Sequence, residues 1–317
     1  MTDTDNQTTA ETHPGVETAS SVAQDVIANV GSVIVDNDAE TKHVVTALLG
    51  EGHVLVADVP GVGKTMLAKS VARSFGGEFG RVQFTPDLLP ADVTGVSVYD
   101  EQTQEFTFRP GPIFGNVVLA DEIDRAPPKT QSALLEAMEE GQTTVDGETH
   151  DLPEPFTVIA TQNTVEGDGA YPLPVAELDR FTKRLELGYP GDEAEVDLYG
   201  RAVGEHPIET LAPVATPEQL RAARETRANV TVSPELREYV SRLVRYTREH
   251  AQLGVSPRGG IDLLRTAQAR ALLDARGYVV PDDVQTEAPA VLAHRVRVSD
   301  GDGTALVADA LDTVPIE

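Results

Sequence analysis

Cysteine is absent from this 317-residue chain, which excludes disulfides, thiolate metal sites and cysteine nucleophiles. Lysine is nearly so, with Lys42, Lys64, Lys69, Lys129 and Lys183 completing the inventory. The seven histidines (His13, His43, His53, His150, His206, His250 and His294) show no H-x-x-x-H or H-E-x-x-H spacing, so packing or surface roles are expected rather than metal ligation. No apolar run approaches the ~18 residues of a membrane span. The first 20 residues lack the basic start and the apolar stretch of a secretory signal, and a cytoplasmic location is the resulting expectation.

Charge is unbalanced rather than scarce. There are 52 acids against 25 basic residues, a formal net charge of −27 and a pI near 4.5. A phosphate polyanion would be repelled on average. The acids are scattered along the chain, a pattern resembling that of halophiles, organisms with molar salt in the cytoplasm. At 1 M salt the Debye length is about 3 Å, so a dense carboxylate surface feels little self-repulsion there and much more in dilute buffer. Salt-dependent stability is therefore expected. Hydrophobic residues make up 40 % of the chain, ample for a core, and the length favours two domains.

Residues 1–18 are Thr-rich, acidic and almost free of large apolar side chains, and read as a disordered leader. Order is expected from Ser21, which forms a capping-box pattern with Gln24 before Val22, Val26, Ile27 and Val30. Asn37 and Glu40 repeat the device before Val44, Val45, Leu48 and Leu49. Short apolar runs then recur as candidate strands: Val54 to Ala57, Gly80 to Phe84, Val117 to Asp121, Phe156 to Thr161 and Arg184 to Leu187. Helical stretches separate most of them, which predicts a doubly wound, mainly parallel α/β sheet. Two alternating segments interrupt this pattern, Val96 to Phe108 about Asp100-Glu101-Gln102 and Thr143 to Leu152 about Asp146-Gly147. Both are expected to be β-hairpins. From about residue 192 the pattern is helical without strands, with helix starts at Thr216-Pro217, Ser233-Pro234 and Ser256-Pro257. The expected division is a leader over 1–18, an α/β core over 19–190 and an all-α domain over 191–317.

The apolar run Val54 to Ala57 leads into Asp58-Val59-Pro60-Gly61-Val62-Gly63-Lys64-Thr65-Met66. Two glycines let the backbone wrap closely enough for its N–H groups to point at phosphate oxygens. Lys64 is placed to reach β- and γ-phosphates, and the Thr65 hydroxyl to hold Mg2+. The pattern G-x-x-x-x-G-K-[ST] fails at its first position, which is Asp58, and a Gly-rich turn joining strand to helix is the alternative. Downstream, Val117-Val118-Leu119-Ala120-Asp121-Glu122 puts two carboxylates at the carboxyl edge of the sheet, where open α/β sheets bind ligands. There Asp121 suits Mg2+, and Glu122 suits taking a proton from an attacking water. The run Phe156 to Thr161 delivers Gln162-Asn163 to the same edge, where an amide orients water against a γ-phosphate or forms an Asx-turn. Arg180, in Leu178-Asp179-Arg180-Phe181, and Arg258, in Ser256-Pro257-Arg258, stay open between phosphate contacts and surface salt bridges. Arg258 opposes the dipole of the helix it begins, a cost that a phosphate partner would explain.

In order along the chain, Pro60-Gly61-Val62-Gly63-Lys64-Thr65, Asp121-Glu122, Thr161-Gln162-Asn163, Leu178-Asp179-Arg180-Phe181 and Ser256-Pro257-Arg258 resemble Walker A, Walker B, sensor 1, arginine finger and sensor 2 of the AAA+ ATPases. The longer stretches 83–92, 108–114 and 121–138 are similar to those of the MoxR family in the helix-2-insert clade, and the likeness covers about residues 20 to 300. The resemblance implies an AAA+ P-loop core with a parallel sheet and two β-hairpin inserts, plus a small all-α lid domain. It implies Mg2+-dependent ATP hydrolysis. Pro60, Gly61, Val62, Gly63, Lys64, Thr65 and Met66, with Ile34 and Val35, would contact the nucleotide. Thr65 and Asp121 would hold the metal, and Glu122, Asn163, Arg180 and Arg258 would act in hydrolysis. A homo-oligomeric ring, a hexamer, is implied as well, with Arg180 serving the next subunit's ATP. The family's chaperone-like work is on protein clients, often von Willebrand factor A domain proteins. Two positions depart from the family pattern: Asp124 stands where Asn is usual, and Asp36 where Gly often follows Ile34-Val35.

The rival reading is a DNA-dependent, helicase-like motor. The hairpin ends Tyr99-Asp100-Glu101-Gln102-Thr103 and Val145-Asp146-Gly147-Glu148-Thr149 carry no Lys or Arg to track a phosphate backbone, which favours protein clients over nucleic acid. A GTPase reading rests on Asp92-Val93-Thr94-Gly95 as D-x-x-G, and no N-K-x-D follows it. A non-hydrolysing, ATP-gated scaffold is the non-enzyme alternative.

Overall fold

Two helices, α1 (Pro14–Gly31) and α2 (Asp38–Leu49), precede the first strand of the structure, a computed structural model. It describes residues 14–59, 61–102, 104–164, 171–202, 207–299 and 303–316. Strand β1 (Val54–Asp58) passes through a loop into α3 (Lys64–Ser74) and β2 (Phe79–Gln83). A short α4 (Pro90–Thr94) opens the first hairpin, β3 (Gly95–Asp100) with β4 (Glu105–Pro110). Next come β5 (Val117–Asp121), α5 (Pro128–Glu140), the second hairpin of β6 (Gln142–Val145) and β7 (Glu148–Asp151), and β8 (Thr157–Asn163). The short α6 (Val175–Leu178) and β9 (Lys183–Leu185) follow. Beyond them the elements are helical: α7 (Asp192–Ala202), α8 (Pro207–Thr210), α9 (Pro217–Ala228), α10 (Pro234–His250), α11 (Pro257–Leu273), α12 (Pro281–Leu292) and α13 (Gly303–Thr313).

Five strands form one parallel sheet in the order β2-β5-β8-β1-β9. The alternation of side chains along each strand sorts them onto two faces. Val54, Val56, Val117, Leu119 and Ile159 join the core shared with α1, α2, α3 and helices α9 to α12. Leu55, Val118, Ala120, Val158 and Ala160 pack instead on Leu134, Leu135 and Met138 of α5, with Phe84 and Phe181. Burial on both faces is why these strands read as unbroken apolar runs. The parallel sheet, both hairpins and the caps of α9, α10 and α11 stand where the sequence predicts them, with Thr216, Ser233 and Ser256 accepting from the N–H groups of Gln219, Leu236 and Gly259.

The beginning of the fold differs from expectation. Helix α1 starts at Pro14, ahead of Ser21, so residues 14–18 are helical rather than leader, and residues 1–13 lie outside the described residues. Val16 and Ala19 extend the apolar stripe of Val22, Ala23, Val26 and Val30, and their burial outweighs the weak start signal. Ser21 and Gln24 form no capping box; Gln24 donates to the Leu273 carbonyl at 3.0 Å, beside Ser20 at 2.9 Å. Asn37 stands at the N-cap of α2, but its amide donates to the Val35 carbonyl at 3.2 Å and caps nothing.

A buried ionic network closes the seam between β9 and the helices. Glu287 of α12 pairs with Lys183 of β9, both fully buried. Arg270 Nε lies 2.6 Å from Oε1 of Glu287, and His43 Nδ1 3.4 Å from Oε2. Lys183 Nζ also donates to Thr46 Oγ1 at 2.5 Å and to the His43 carbonyl at 3.1 Å. Burial alone would raise the Glu287 pKa, but Lys183, His43 and Arg270 together outweigh it and hold the carboxyl at about 2. Burial brings Lys183 down to about 8 despite Glu287. Among the described residues no helix is long and apolar enough to cross a membrane.

Candidate active site

The loop after β1 turns through Gly61 (φ +87°) and Gly63 (φ +93°), left-handed positions where a side chain would be strained. Lys64 then opens α3, whose first N–H groups and dipole favour an anion. Gly61, Gly63, Lys64, Thr65 and Met66 line a cavity of about 220 Å3 together with Asp121, Glu122, Thr161 and Asn163. Residues from the ends of β5 and β8 therefore meet the loop that follows β1, because β5, β8 and β1 are neighbours and Asp58 stands opposite Asn163. Pro60 lies outside the described residues, and Val62 packs against the larger core rather than lining this cavity. Ile34 and Val35 do not line it either; Ile34 is buried between α1 and α2. Next to them Asp36 takes φ +62°, a conformation Asp tolerates better than most residues. Its Oδ2 accepts from the Gly191 N–H at 2.8 Å.

Asp58, at the position of the missing first glycine, is buried and serves as a tie. Its Oδ2 accepts from the N–H groups of Leu187 at 2.6 Å and Gly188 at 2.8 Å, and its Oδ1 from Val59 N–H at 2.7 Å. Its carbonyl accepts from Lys64 Nζ at 3.0 Å. Burial lowers the Lys64 pKa, while Asp58, Asp121, Glu122 and Asp124 act against that shift.

The two acids at the end of β5 are held differently. Asp121 accepts from Thr161 Oγ1 at 2.8 Å and from Arg81 at 2.8 Å. Thr161 Oγ1 in turn accepts from the Glu122 N–H at 2.8 Å. Glu122 sits at φ +56°, ψ +53°, a left-handed conformation costing a non-glycine residue about 1–2 kcal/mol. Its Oε2 accepts from Gln83 at 2.8 Å and from Arg125 at 2.7 Å. Burial raises the pKa of Asp124, the acid at the family's Asn position, and Glu122 adds to the effect. Among the described residues no cluster of three or more His, Cys, Asp or Glu forms a metal cage of its own. Thr65 and Asp121 on one cavity suit a Mg2+ ion that keeps several waters and takes other oxygens from phosphate.

Arg180 and Arg258 stand apart from this cavity. They line another, of about 400 Å3, with Glu139 and Asp262. Glu139 Oε1 lies 2.9 Å from Arg258 and Oε2 3.3 Å from Arg180. The turn carrying Arg180 is clamped by the helical region. Arg295, fully buried, donates to the carbonyls of Asp179 at 3.0 Å and Phe181 at 2.9 Å, on either side of Arg180. It also pairs with the carboxylates of Asp179 at 2.9 Å and Asp262 at 2.6 Å. Ser256 Oγ, at the start of α11, donates to Asp179 at 2.9 Å. Sequence reasoning gave no role to Arg295, Glu139, Arg81 or Gln83; Gln83 opens the family-like stretch 83–92, and the β2–β5 pairing sets it opposite Asp121.

The profile of the "ATPase family associated with various cellular activities (AAA)" matches residues 53–183, and that of the AAA lid domain residues 245–311. The chain is 42 % identical over 281 residues to the chaperone MoxR1 of Mycobacterium tuberculosis, covering 85 % of this chain and 74 % of that one. This chain belongs to the MoxR family of AAA+ ATPases. The MoxR-family chain is also 56 % identical over 254 residues to YeaC of Bacillus subtilis, itself uncharacterized, covering 80 % and 79 % of the two. A solved structure of a presumed ATPase from Cytophaga hutchinsonii superimposes with a TM-score of 0.89 at 33 % identity, covering 96 % of the MoxR-family chain and 97 % of its own.

Proposed function

We propose that this MoxR-family chain is a cytoplasmic, Mg2+-dependent ATPase working at high salt as a homo-oligomeric ring, hexameric in the family's manner. In this reading the nucleotide-binding core runs to residue 190 and takes in the whole of α1 from Pro14, residues 191–317 form its lid, and it remodels or matures partner proteins, von Willebrand factor A domain proteins among them. The observation that carries the reading is the meeting of Lys64, Thr65, Asp121, Glu122, Thr161 and Asn163 on one cavity at the carboxyl edge of the sheet. The amides at the start of α3 cradle the phosphates, and Lys64 offsets their charge. Thr65 and Asp121 hold Mg2+, which when bound neutralises charge on the transferring phosphate. Glu122 accepts a proton from water, its carboxylate fixed by Gln83 and its backbone by Thr161. Asn163 orients that water.

The separation of Arg180 and Arg258 from their own chain's cavity supports a role on the ATP of a neighbouring subunit. An arginine finger is worth about 10³–10⁵ in rate, or about 4–7 kcal/mol, so dispersed chains are expected to be nearly inactive. The test is phosphate release at molar KCl against protein concentration, with light scattering to follow assembly. Lys64→Ala should lose nucleotide binding, and Glu122→Gln should bind ATP without turnover. Turnover per chain that ignores both concentration and an Arg180→Ala change would refute the ring reading.

A DNA motor is the second reading. Asp100, Glu101 and Glu105 near the end of the first hairpin, and Asp146 and Glu148 in the second, speak against it. Tyr99 and Phe106, exposed on the first hairpin with ring centroids 5.3 Å apart, suit an apolar polypeptide segment better. DNA-stimulated turnover would reverse that preference.

A further inference from the structure

One carboxylate joins the two arginines that stand outside the phosphate cavity. Glu139 lies in the last turn of α5 and offers one oxygen to each guanidinium, Oε1 to Arg258 at 2.9 Å and Oε2 to Arg180 at 3.3 Å. We infer that Glu139 is a positioning residue for hydrolysis: it holds Arg180 and Arg258 as a pair presented to the γ-phosphate of a nucleotide bound by another copy of this chain. The inference rests on the proposed reading of these arginines as acting between subunits.

Three observations carry it. The main chain at both arginines is already fixed, at Arg180 by the Arg295 clamp and at Arg258 by the Ser256 cap of α11. Only the side chains are left free to wander, and Glu139 is what gathers them. The trio is also accessible: the side chains of Arg180, Arg258 and Glu139 are 31 %, 36 % and 42 % exposed. Ion pairs this exposed add little to stability, so what Glu139 supplies is geometry. Finally, each arginine meets Glu139 through one terminal nitrogen, and a guanidinium has five N–H donors in a planar fork. Two like charges converge on a single point only when an anion sits between them, and Glu139 holds that arrangement until a phosphate joins it.

The experiment uses the full chain with Glu139→Gln, which keeps size and loses charge. The expected result is a kcat lowered about 10²-fold, the scale of a small misplacement of a catalytic group, with ATP affinity and thermal midpoint unchanged. Mixing Glu139→Gln with Lys64→Ala chains should then restore turnover. The Lys64→Ala chain keeps its arginines and Glu139, and can serve the intact phosphate loop of its Glu139→Gln neighbour. An unchanged kcat in Glu139→Gln, or a mixture no more active than its parts, overturns the inference while leaving the proposed ATPase standing. Wild-type chain without turnover at any concentration overturns the proposed function, and the inference with it.

Discussion

Replacing Glu287 by glutamine probes the seam between β9 and the helical region. The substitution keeps the side-chain volume and removes the charge, leaving the cationic Arg270, and Lys183 wherever it still holds its proton, beside a neutral amide in a buried setting. Breaking one side of a buried ion pair costs about 3–5 kcal/mol, because the remaining charge lacks a counter-ion. Unfolding entropy is about 2.1 cal/mol/K per residue near 60 °C, roughly 0.7 kcal/mol/K for a chain of 317 residues. The thermal midpoint should therefore fall by roughly 4–8 °C, followed by circular dichroism at constant salt. The deficit should also shrink as pH is raised. Lys183 is already down at about 8 with Glu287 in place, and without the carboxylate its folded pKa drops further below the unfolded value. The unfolded state then binds more protons, so stability rises with pH. A second substitution, Lys183→Met, should return part of the loss, since it removes one of the two cationic groups that Glu287 had offset. An unshifted midpoint in the single variant, or a double variant less stable than the single one, refutes the reasoning.

Acid titration of the wild-type chain gives a related outcome. Glu287 is held at about 2 against an ordinary 4.5, so its contribution is fully present above pH 4.5 and lost as pH falls through 2; Glu287→Gln should flatten that part of the stability profile. The midpoint should rise from dilute buffer to molar KCl as the acidic surface is screened, and equal midpoints would remove the argument from charge. Asp58→Gly completes the phosphate-loop pattern and should nevertheless destabilise by about 1–3 kcal/mol, because the N–H groups of Leu187 and Gly188 lose a charged acceptor; urea unfolding checks this. Thr161→Val should lower kcat with little change in ATP affinity, because Asp121 and the Glu122 backbone both lean on its hydroxyl. A kcat equal to wild type would assign Thr161 to packing alone.

The parts legible in the sequence were those whose signal is local. Strand β5 could be read to the residue, Val117–Asp121, because four buried apolar positions end abruptly in two acids. The hairpin over 142–151 was visible through Asp146-Gly147, both at positive φ. The start of α1 was hidden, because what fixes it is contact with α9 and α11, far along the chain. The same physics divides the site. Lys64 and Thr65 at the start of α3, and Asp121, Glu122 and Asn163 at strand ends, lie within short motifs, and the sheet order brings them to one cavity. Arg295 reaches Phe181 across 114 positions and Arg258 reaches Glu139 across 119, distances over which no spacing rule operates. Asp58 shows a motif departure with a structural reason: the carboxylate that spoils the loop pattern is committed to Leu187 and Gly188.

The packing of α1 bears on how the chain is made. Its apolar stripe is covered in part by α9 and α11, and Ser20 reaches a carbonyl 253 positions further on. A ribosome adding about 5–20 residues per second leaves that contact unmade for roughly 10–50 s. Helices α2 and α3, which also touch α1, emerge early enough to give provisional shelter. The remaining stripe is exposed throughout translation of the site itself, a window in which a holding chaperone has a defined surface to cover. The first helix of the fold is thus among the last to be sealed.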